Sequence, residues 1–297
     1  MRSYQRVMES NGFNFHEYWP QGKQVGEDIV MAWLQLLLDS RVQASTIMGR
    51  ISALKWAFDL HGIGTSSFQG PGISRMKAGI IRQRPNRGLK SEVLTVELLQ
   101  KLKDLTKNHA EDMEARRLLV ILLLAYAAFA RAKEMINLRA GELTFTEQGL
   151  LWNSSIRKTD NYRQGQQVFL AAIPGSELCP RANLVQWIQV EQHWPSEVDI
   201  DRPVFPGLGR STDQGPATIS RETIARQLQK YLGLIGYSGE KITLQGSRAG
   251  GASAALEAGM PLSTIMMHGH WKTASAAMGY LKRSEDSKYE VSRSIGL

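Results

Sequence analysis

One short stretch of the chain, HGHWKTASAAMGY at residues 268–280, gathers groups that could take part in chemistry. His268, His270 and Trp271 stand together at its start, and Tyr280 supplies a phenol ten residues after His270. The small residues between them suit a close-packed helix. The stretch therefore has two explanations: the ring-bearing groups serve a reaction at the phenol, or they cap a helix and the tyrosine lies half-buried on its apolar face.

Three further stretches place a cation where it could assist such a reaction. FARAKEMINLR sets Arg131 and Glu134 one helical turn apart, just beyond an apolar helix. IRKTD puts Lys158 at the tip of an expected strand pair, and QGSRAGG puts Arg248 in the first turn of an expected helix. Taken singly, each cation has a structural explanation, because arginines often cap helix ends and lysines are usually solvated. The number and order of these stretches favour a shared site.

The composition bounds the class of protein. The chain has 297 residues, enough for two domains with separate cores, and its 42% hydrophobic and 22% charged residues are typical of a globular protein. Its longest apolar run, residues 118–130, is shorter than the roughly 20 residues of a membrane span, so we expect a buried helix. A single cysteine, Cys179, excludes an internal disulfide and indicates a reducing, intracellular compartment. The one close histidine pair has no thiol partner for a zinc site.

The positive charge is concentrated in the first third of the chain. Of the net charge of +8, the first 90 residues carry +6, from 12 basic and 6 acidic residues. Residues 74–90 contain six basic residues and no acidic one: Arg75, Lys77, Arg82, Arg84, Arg87 and Lys90. This segment is either a solvated linker between domains, since Pro85, Asn86 and Gly88 break regular structure, or a strap that contacts a nucleic-acid phosphate backbone.

The spacing of apolar residues predicts a mainly helical protein in two parts. Residues 1–84 show helical spacing and no strand-like segment, residues 85–94 form a basic linker, and residues 95–297 form a larger domain that opens with a helix. Within this domain, the spacing of apolar residues changes in residues 143–171, where two runs with strand propensity flank turn-rich segments. This pattern predicts a small antiparallel sheet. Residues 201–216 are rich in glycine and proline, and we expect a surface loop there.

Six residues carry a resemblance to a known family, in this order: Arg131, Lys158, Gln245, Arg248, His270 and Tyr280. The series resembles the catalytic series of the tyrosine recombinase (phage integrase) family, which runs Arg, Lys, His-x-x-Arg, His or Trp, Tyr. FARAKEMINLR, RKTDNYRQG and SRAGGASAALEAGMPLSTIMMHGHWK resemble its sequence boxes, and the helical first third resembles its core-binding domain. The resemblance implies a SAM-like helical core-binding domain and a mostly helical catalytic domain with a small antiparallel β-sheet, the DNA breaking-rejoining enzyme fold.

The resemblance implies a site-specific recombinase or integrase that cuts and rejoins duplex DNA. In that family the tyrosine hydroxyl attacks a DNA phosphodiester, which leaves a 3′-phosphotyrosyl link and a free 5′-hydroxyl. By this resemblance Tyr280 is the nucleophile, and Arg131 and Arg248 pair with the nonbridging oxygens, whose charge grows in the transition state. Lys158 is the general acid for the leaving oxygen. His270 donates to a phosphate oxygen.

Gln245 is the main departure from the family, which usually has histidine at this position. Glutamine can hydrogen-bond a phenol or a phosphate, but it cannot take up a proton near neutral pH. Ser247 and His268 also stand where the family usually has apolar residues. One alternative is therefore a catalytically weakened relative that binds DNA as an architectural or regulatory protein. Another is an enzyme similar to type IB topoisomerases, which shares the chemistry but not strand exchange.

The resemblance also implies partners and cofactors. Double-stranded DNA is the expected partner, and in the family four protomers hold two duplexes, often with the C-terminal tail of one protomer docked on its neighbour. Because the bond energy is kept in the covalent intermediate, we expect no metal ion and no nucleotide cofactor. The tail of this chain, residues 281–297, is either such an arm or a frayed terminus. It contains Tyr289, which is the alternative nucleophile.

Overall fold

The structure is a computed structural model of the chain. It describes residues 26–83, 92–154, 165–190, 200–207, 218–237 and 242–282, together with residues 5 and 9. The chain divides into two compact units, residues 1–90 and residues 91–297. Among the described residues, no helix has both the length and the apolar composition that crossing a membrane requires.

The described part of the first unit is helical. Its elements are α1 (Glu27–Asp39), α2 (Ala44–Leu60), a short 3-10 helix (Ser66–Gln69) and α3 (Pro71–Gln83). Their apolar faces meet in a core that contains Trp33, Phe58 and Phe68, each 1% exposed. The rings of Phe58 and Phe68 pack edge to face with their centroids 5.6 Å apart. Residues 74–83 of the basic segment are therefore the end of a packed helix.

The second unit is built around one buried helix. Its helices are α4 (Val96–Asn108), α5 (Met113–Ala127), α6 (Ala132–Ile136), α7 (Pro180–Val190), α8 (Arg221–Leu234), α9 (Leu244–Glu257), α10 (Leu262–Gly269) and α11 (Ala274–Met278). Thr95 caps α4 by accepting a hydrogen bond from Leu98 N at 3.2 Å, so the helix begins where the sequence predicts. Residues 117–125 of α5 are all buried, and α5 packs against α4, α7, α8 and α9. The predicted buried helix is confirmed.

A three-stranded antiparallel sheet lies in the second unit. Its strands are β1 (Leu143–Phe145), β2 (Gly149–Ser154) and β3 (Gln166–Ala171), in the order β1-β2-β3. Leu150 pairs with Leu170 and Trp152 with Val168, and all four side chains are buried on one face. The residues between them alternate to the more exposed face. The predicted fold class, mainly α with a small antiparallel sheet, is confirmed.

One connection differs from the sequence prediction. The surface loop predicted for residues 201–216 is wrong for the part that the structure describes, because Val204 and Phe205 are completely buried. Trp187 Nε1 donates to Val204 O at 2.9 Å, and the Trp187 and Phe205 rings lie 6.3 Å apart. The two apolar residues extend the core despite the flanking prolines, which had indicated only a turn-rich segment.

Part of the expected linker belongs to the second unit. Glu92 pairs with Ile242, and Leu94 N donates to Gly246 O at 3.1 Å. These contacts tie residues 92–94 to the start of α9. Residues 85–91 of the expected linker lie outside the described residues.

Candidate active site

Arg131 lies just beyond α5, where the chain turns into α6. Its backbone N–H donates to Glu134 Oε2 at 2.9 Å, and its Nη1 donates to Glu134 Oε1 at 2.8 Å. The carboxylate therefore holds both the backbone and the guanidinium of Arg131. The Glu134 side chain is 4% exposed and that of Arg131 is 21% exposed, so the ion pair is partly shielded from water and is stronger than one on the open surface.

The turn that ends α5 has a backbone conformation that favours glycine. Phe129 has a φ of 47°, in the left-handed region. The N–H of Phe129 donates to Tyr126 O, and that of Ala130 donates to Ala125 O. This is the Schellman pattern of helix ends, in which the left-handed residue is usually glycine. A phenylalanine there costs about 1–3 kcal/mol, a strain that often marks a functional site.

A second turn of the same kind ends α10. His270 has a φ of 53°, and the N–H of Trp271 donates to Met266 O at 2.9 Å. Gly269 precedes this turn, and a Cβ added there would collide with the Trp271 ring. The glycine therefore lets the indole fold back against the end of α10.

Glycines also allow α9 to lie close against the end of α5. A Cβ added at Gly250 would collide with Leu94 O, and one added at Gly251 would collide with Tyr126 O. Only residues without a side chain permit this approach of two backbones. Arg248 is carried by the same helix, so the close packing brings its side chain to the end of α5.

Arg248 joins the ends of two helices. Its Nη1 donates to Phe129 O at the end of α5, and its Nη2 donates to Gly269 O at the end of α10, at 2.8 Å. The C-terminal end of a helix carries partial negative charge, which favours a cation. The guanidinium carbon also lies 4.2 Å from the centroid of the Trp271 ring, a cation–π contact. The residue is 0% exposed.

Tyr280 completes this cluster. Its ring centroid lies 5.1 Å from the guanidinium carbon of Arg248 and 5.3 Å from the ring of Trp271. Gln245 Nε2 donates to Tyr280 Oη at 2.8 Å. Gln245 and Arg248 are three residues apart on α9 and so lie on one face of the helix. The structure thus brings together Gln245, Arg248, Trp271 and Tyr280.

The cluster hides Arg248 from solvent. Trp271 is 7% exposed and packs in a small core with Phe129 and Ile265, whereas Tyr280 is only partly buried and follows the five-residue helix α11. Tyr280 is therefore the less firmly held of the two rings beside the guanidinium. Because Arg248 has no exposed surface, a ligand can contact its guanidinium only after one of these covering groups moves.

The two histidines have different surroundings. His268 Nε2 lies 2.7 Å from Ala127 O, and its ring packs edge to face against Phe129, with centroids 4.6 Å apart. A carbonyl accepts only from an N–H, so this nitrogen carries the proton. His268 thus fastens α10 to the end of α5. His270 is half-buried at the left-handed end of α10, next to the Gly269 carbonyl that Arg248 binds.

Lys158 lies outside the described residues, in the stretch 155–164 that joins β2 to β3. Ser154 and Gln166, on either side of this stretch, are paired across the two strands. The alternative nucleophile, Tyr289, also lies outside the described residues.

The expected DNA-binding residues fall into three groups. Arg75 and Arg82 are exposed on α3. Lys77 is half-buried, and its ammonium donates to Phe68 O at 3.0 Å, so it helps to hold the first unit together. The remaining three lie outside the described residues: Arg84, Arg87 and Lys90.

The sequence did not reveal the groups that hold Arg248. Two of them are backbone carbonyls, of Phe129 and Gly269, and a carbonyl leaves no signature in residue type. Trp271 lies within residues 268–280, but the sequence pattern predicted no specific role for it. The glycine before the HW pair was the available signal, since a tight turn beside a large ring requires a residue without Cβ.

Comparison with known proteins gives one curated relative and several solved structures. No protein-family model matches the chain. An integrase/recombinase xerD homolog from Selenomonas ruminantium is 26% identical over 246 residues, which cover 81% of this chain and 69% of that protein. The Tn1549 transposon integrase in complex with transposon right end DNA is 12% identical, with a TM-score of 0.63, and the match covers 99% of this chain and 91% of that chain.

A second structure extends this likeness. The XerH site-specific recombinase, in a post-cleavage complex with a palindromic difH substrate, is 13% identical, with a TM-score of 0.62. The match covers 91% of this chain and 72% of that chain. The chain is therefore similar in sequence to a XerD-like integrase/recombinase and has the fold of the tyrosine recombinases.

Proposed function

We propose that this chain is a site-specific DNA recombinase or integrase that cuts and rejoins duplex DNA through a 3′-phosphotyrosyl intermediate on Tyr280. The proposal depends on one cluster, in which Gln245 bonds the Tyr280 hydroxyl while Arg248 lies beside the same ring. A phenol beside a guanidinium suits attack on a phosphodiester, because the cation stabilises both the phenolate and the charged transition state. The likeness to recombinases solved with DNA supports DNA as the substrate.

In the first step, the Tyr280 oxygen bonds to phosphorus and the bond from phosphorus to the 5′ oxygen breaks. The phenol loses its proton to water, and the leaving oxygen gains a proton. Gln245 holds the phenol oxygen by donating its amide N–H, but an amide does not accept the proton. Lys158 is the proposed proton donor to the leaving oxygen. Attack by the 5′-hydroxyl of another strand reverses the step and releases the tyrosine.

The two arginines bind the nonbridging oxygens in this proposal. Two helix-end carbonyls fix the plane of the Arg248 guanidinium, so it meets the growing charge without reorganising. The Tyr280 ring shifts off the guanidinium as the phosphate enters. Glu134 orients Arg131 from its other side. His270, at the end of α10, donates to a phosphate oxygen.

The proposal includes an assembly on DNA. Double-stranded DNA is the partner, and the protomers associate on it as a tetramer in the synaptic complex inside the cell. The covalent link stores the energy of the broken phosphodiester, so the reaction needs no ATP, and in this proposal the two arginines neutralise the charge that a metal ion would otherwise neutralise. Arg75 and Arg82 contribute phosphate contacts from the exposed side of α3.

A second function is favoured by one residue. Gln245 donates to the Tyr280 hydroxyl at 2.8 Å but cannot carry its proton away. A chain of this kind could bind the same DNA sites while cleaving them slowly or not at all. It would then act as an architectural or regulatory DNA-binding protein.

The test is a covalent-trapping experiment on nicked duplexes made from the ends of the element that encodes the chain. Wild type should give a protein–DNA band on a denaturing gel. Tyr280→Phe should abolish that band and keep DNA binding, whereas Tyr289→Phe should leave the band unchanged. Wild type that binds the duplexes specifically without forming the band would favour the regulatory function instead.

A further inference from the structure

The second unit contains a cavity away from Arg131 and Tyr280. Its volume is about 400 Å3, and it lies between α4, the first half of α5 and α7. Arg116, Leu119 and Val120 line it from α5, whereas Arg131 follows the far end of that helix. At a rise of 1.5 Å per residue, Arg116 lies about 16 Å along α5 from its last residue, Ala127, and Arg131 follows beyond that end.

Positive charge dominates the lining of this cavity. Lys103, Lys107 and Arg116 supply three cations, and Glu177 supplies one carboxylate. Lys107 Nζ lies 2.6 Å from Glu177 Oε1, so this carboxylate is already engaged. Among the described residues, neither Lys103 nor Arg116 forms an ion pair. Two cations in one concave surface therefore have no carboxylate within ion-pair distance in the described part of the chain, and the single carboxylate of the lining is bonded to Lys107.

The position of Lys103 is fixed by a buried amide. Its ammonium donates to Asn183 Oδ1 at 2.7 Å. Asn183 is 5% exposed, and its Nδ2 donates to the carbonyls of Glu177 and Cys179 at 2.8 and 2.9 Å. These two bonds determine which side of the amide faces Lys103. The lysine is thus held in place by a neutral partner.

The environment of Lys103 also disfavours the charged form of its ammonium. Burial lowers the pKa of its ammonium, and the nearby charges of Lys107 and Arg116 act in the same direction, against the opposing effect of Glu177. The hydrogen bond to the neutral Asn183 amide replaces only part of the solvation that the half-buried cation loses. An anion in the cavity would restore that interaction and would also engage the fork of the Arg116 guanidinium.

We infer that this cavity binds a phosphate group, free or carried by a small molecule, between Lys103 and Arg116. A cavity of this volume lies in the range of small-ligand sites. The Gln186 amide, which also lines it, adds a hydrogen-bonding group. A DNA duplex presents its phosphates on a convex surface, which does not match a concave cavity whose lysine is half-buried. The site is independent of the proposed DNA chemistry.

The experiment measures thermal unfolding of the full chain with inorganic phosphate and with adenosine monophosphate at millimolar concentrations, with ionic strength held constant by sodium chloride. Wild type should show a saturable rise in midpoint temperature. Arg116→Gln and Lys103→Gln should each weaken binding by at least about tenfold, the usual effect of losing one charge-assisted hydrogen bond. Lys101→Gln is the matched control, because Lys101 is on α4 but bonds Tyr237 rather than lining the cavity.

Tighter binding of adenosine monophosphate than of phosphate would identify a phosphorylated organic ligand, and equal binding would identify phosphate itself. The inference is overturned if wild type shows no saturable shift, or if Lys101→Gln weakens binding as much as Arg116→Gln. It is also overturned if Arg116→Gln leaves phosphate binding unchanged and instead lowers the affinity for duplex DNA, since Arg116 would then belong to a DNA surface.

Discussion

Arg131 and Arg248 are held in opposite ways. Arg131 donates from one side-chain nitrogen to the carboxylate of Glu134 and remains 21% exposed. Arg248 donates from two nitrogens to two backbone carbonyls, lies over the Trp271 ring and has no exposed surface. One arginine is held by an opposite charge on a side chain, and the other by helix ends and an aromatic ring.

This difference determines which substitutions each position tolerates. A lysine can keep a single ion pair with a carboxylate, because the ammonium is a point charge. It cannot span two carbonyls as the planar fork of a guanidinium does, and it stacks less well on an indole. We therefore expect the surroundings of Arg131 to accept a conservative change and those of Arg248 to reject it.

The largest effect is expected from Arg248→Lys. Cleavage of a nicked duplex should fall by about 10³-fold, because the variant loses a preorganised donor pair at the reacting phosphate. The free energy of unfolding in urea should fall by about 3 kcal/mol, since at least one carbonyl loses its charged donor. Arg131→Lys is the control and should cost about 1 kcal/mol. Equal losses of stability in the two variants would show that the two arginines are held alike.

Gln245→His should have the next largest effect, and it tests only the surroundings of Arg248 and Tyr280. A histidine at this position can accept the phenol proton, so cleavage near neutral pH should rise by about 10²-fold. Because wild type has no general base at Gln245, its cleavage should depend on hydroxide and increase with pH. The histidine variant should show a flatter profile, because imidazole titrates at about pH 6.5.

Gln245→Ala is the companion variant, and it removes the 2.8 Å bond to Tyr280 without adding a base. It should cleave more slowly than wild type. A histidine variant no faster than wild type, together with an alanine variant no slower, would place Gln245 outside the reaction centre.

Glu134→Gln tests the contribution of the ion pair that holds Arg131. The amide oxygen can still accept the backbone N–H of Arg131, but the charge that holds the guanidinium is lost. Cleavage should fall by about tenfold, which corresponds to one partly shielded charge-assisted bond. Single-turnover rates at saturating DNA would measure it. A loss of cleavage rate as large as that of Arg248→Lys would contradict the difference between the ways in which Arg131 and Arg248 are held.

The smallest expected effect concerns the basic residues of α3. It distinguishes those that stabilise the fold from those that contact DNA. Replacing Arg75 and Arg82 together by alanine should lower the log–log salt slope of duplex binding by about 1.8, that is about 0.9 per phosphate contact. Lys77→Ala should change the slope less and reduce stability more, because its ammonium bonds Phe68 O. An unchanged slope in the double variant would remove α3 from the DNA surface.

The sequence predicted those parts of the molecule that depend on residue type and spacing. Thr95 is a typical N-cap, and α4 begins there. Gln245 and Arg248, three residues apart, point to one face of a helix, and the structure brings both to Tyr280. The change of period and the turn-rich segments in residues 143–171 predicted the small sheet.

The remaining features depend on the backbone and on tertiary packing. Phe129 and His270 adopt left-handed conformations that favour glycine, so their sequence argued against the turns they form. The carbonyls that bind Arg248 carry no residue-type signal. Val204 and Phe205 lie in a segment whose glycine and proline content predicted a surface loop, but both residues are buried.

The most direct test of the proposed chemistry is to identify the residue that becomes linked to DNA. Wild-type protein would be trapped on a nicked duplex, digested with nuclease and protease, and its nucleotide-bearing peptide sequenced by mass spectrometry. We expect a phosphodiester-derived adduct on Tyr280, the tyrosine that Gln245 and Arg248 contact. An adduct on Tyr289 or on any other residue would contradict the proposed chemistry.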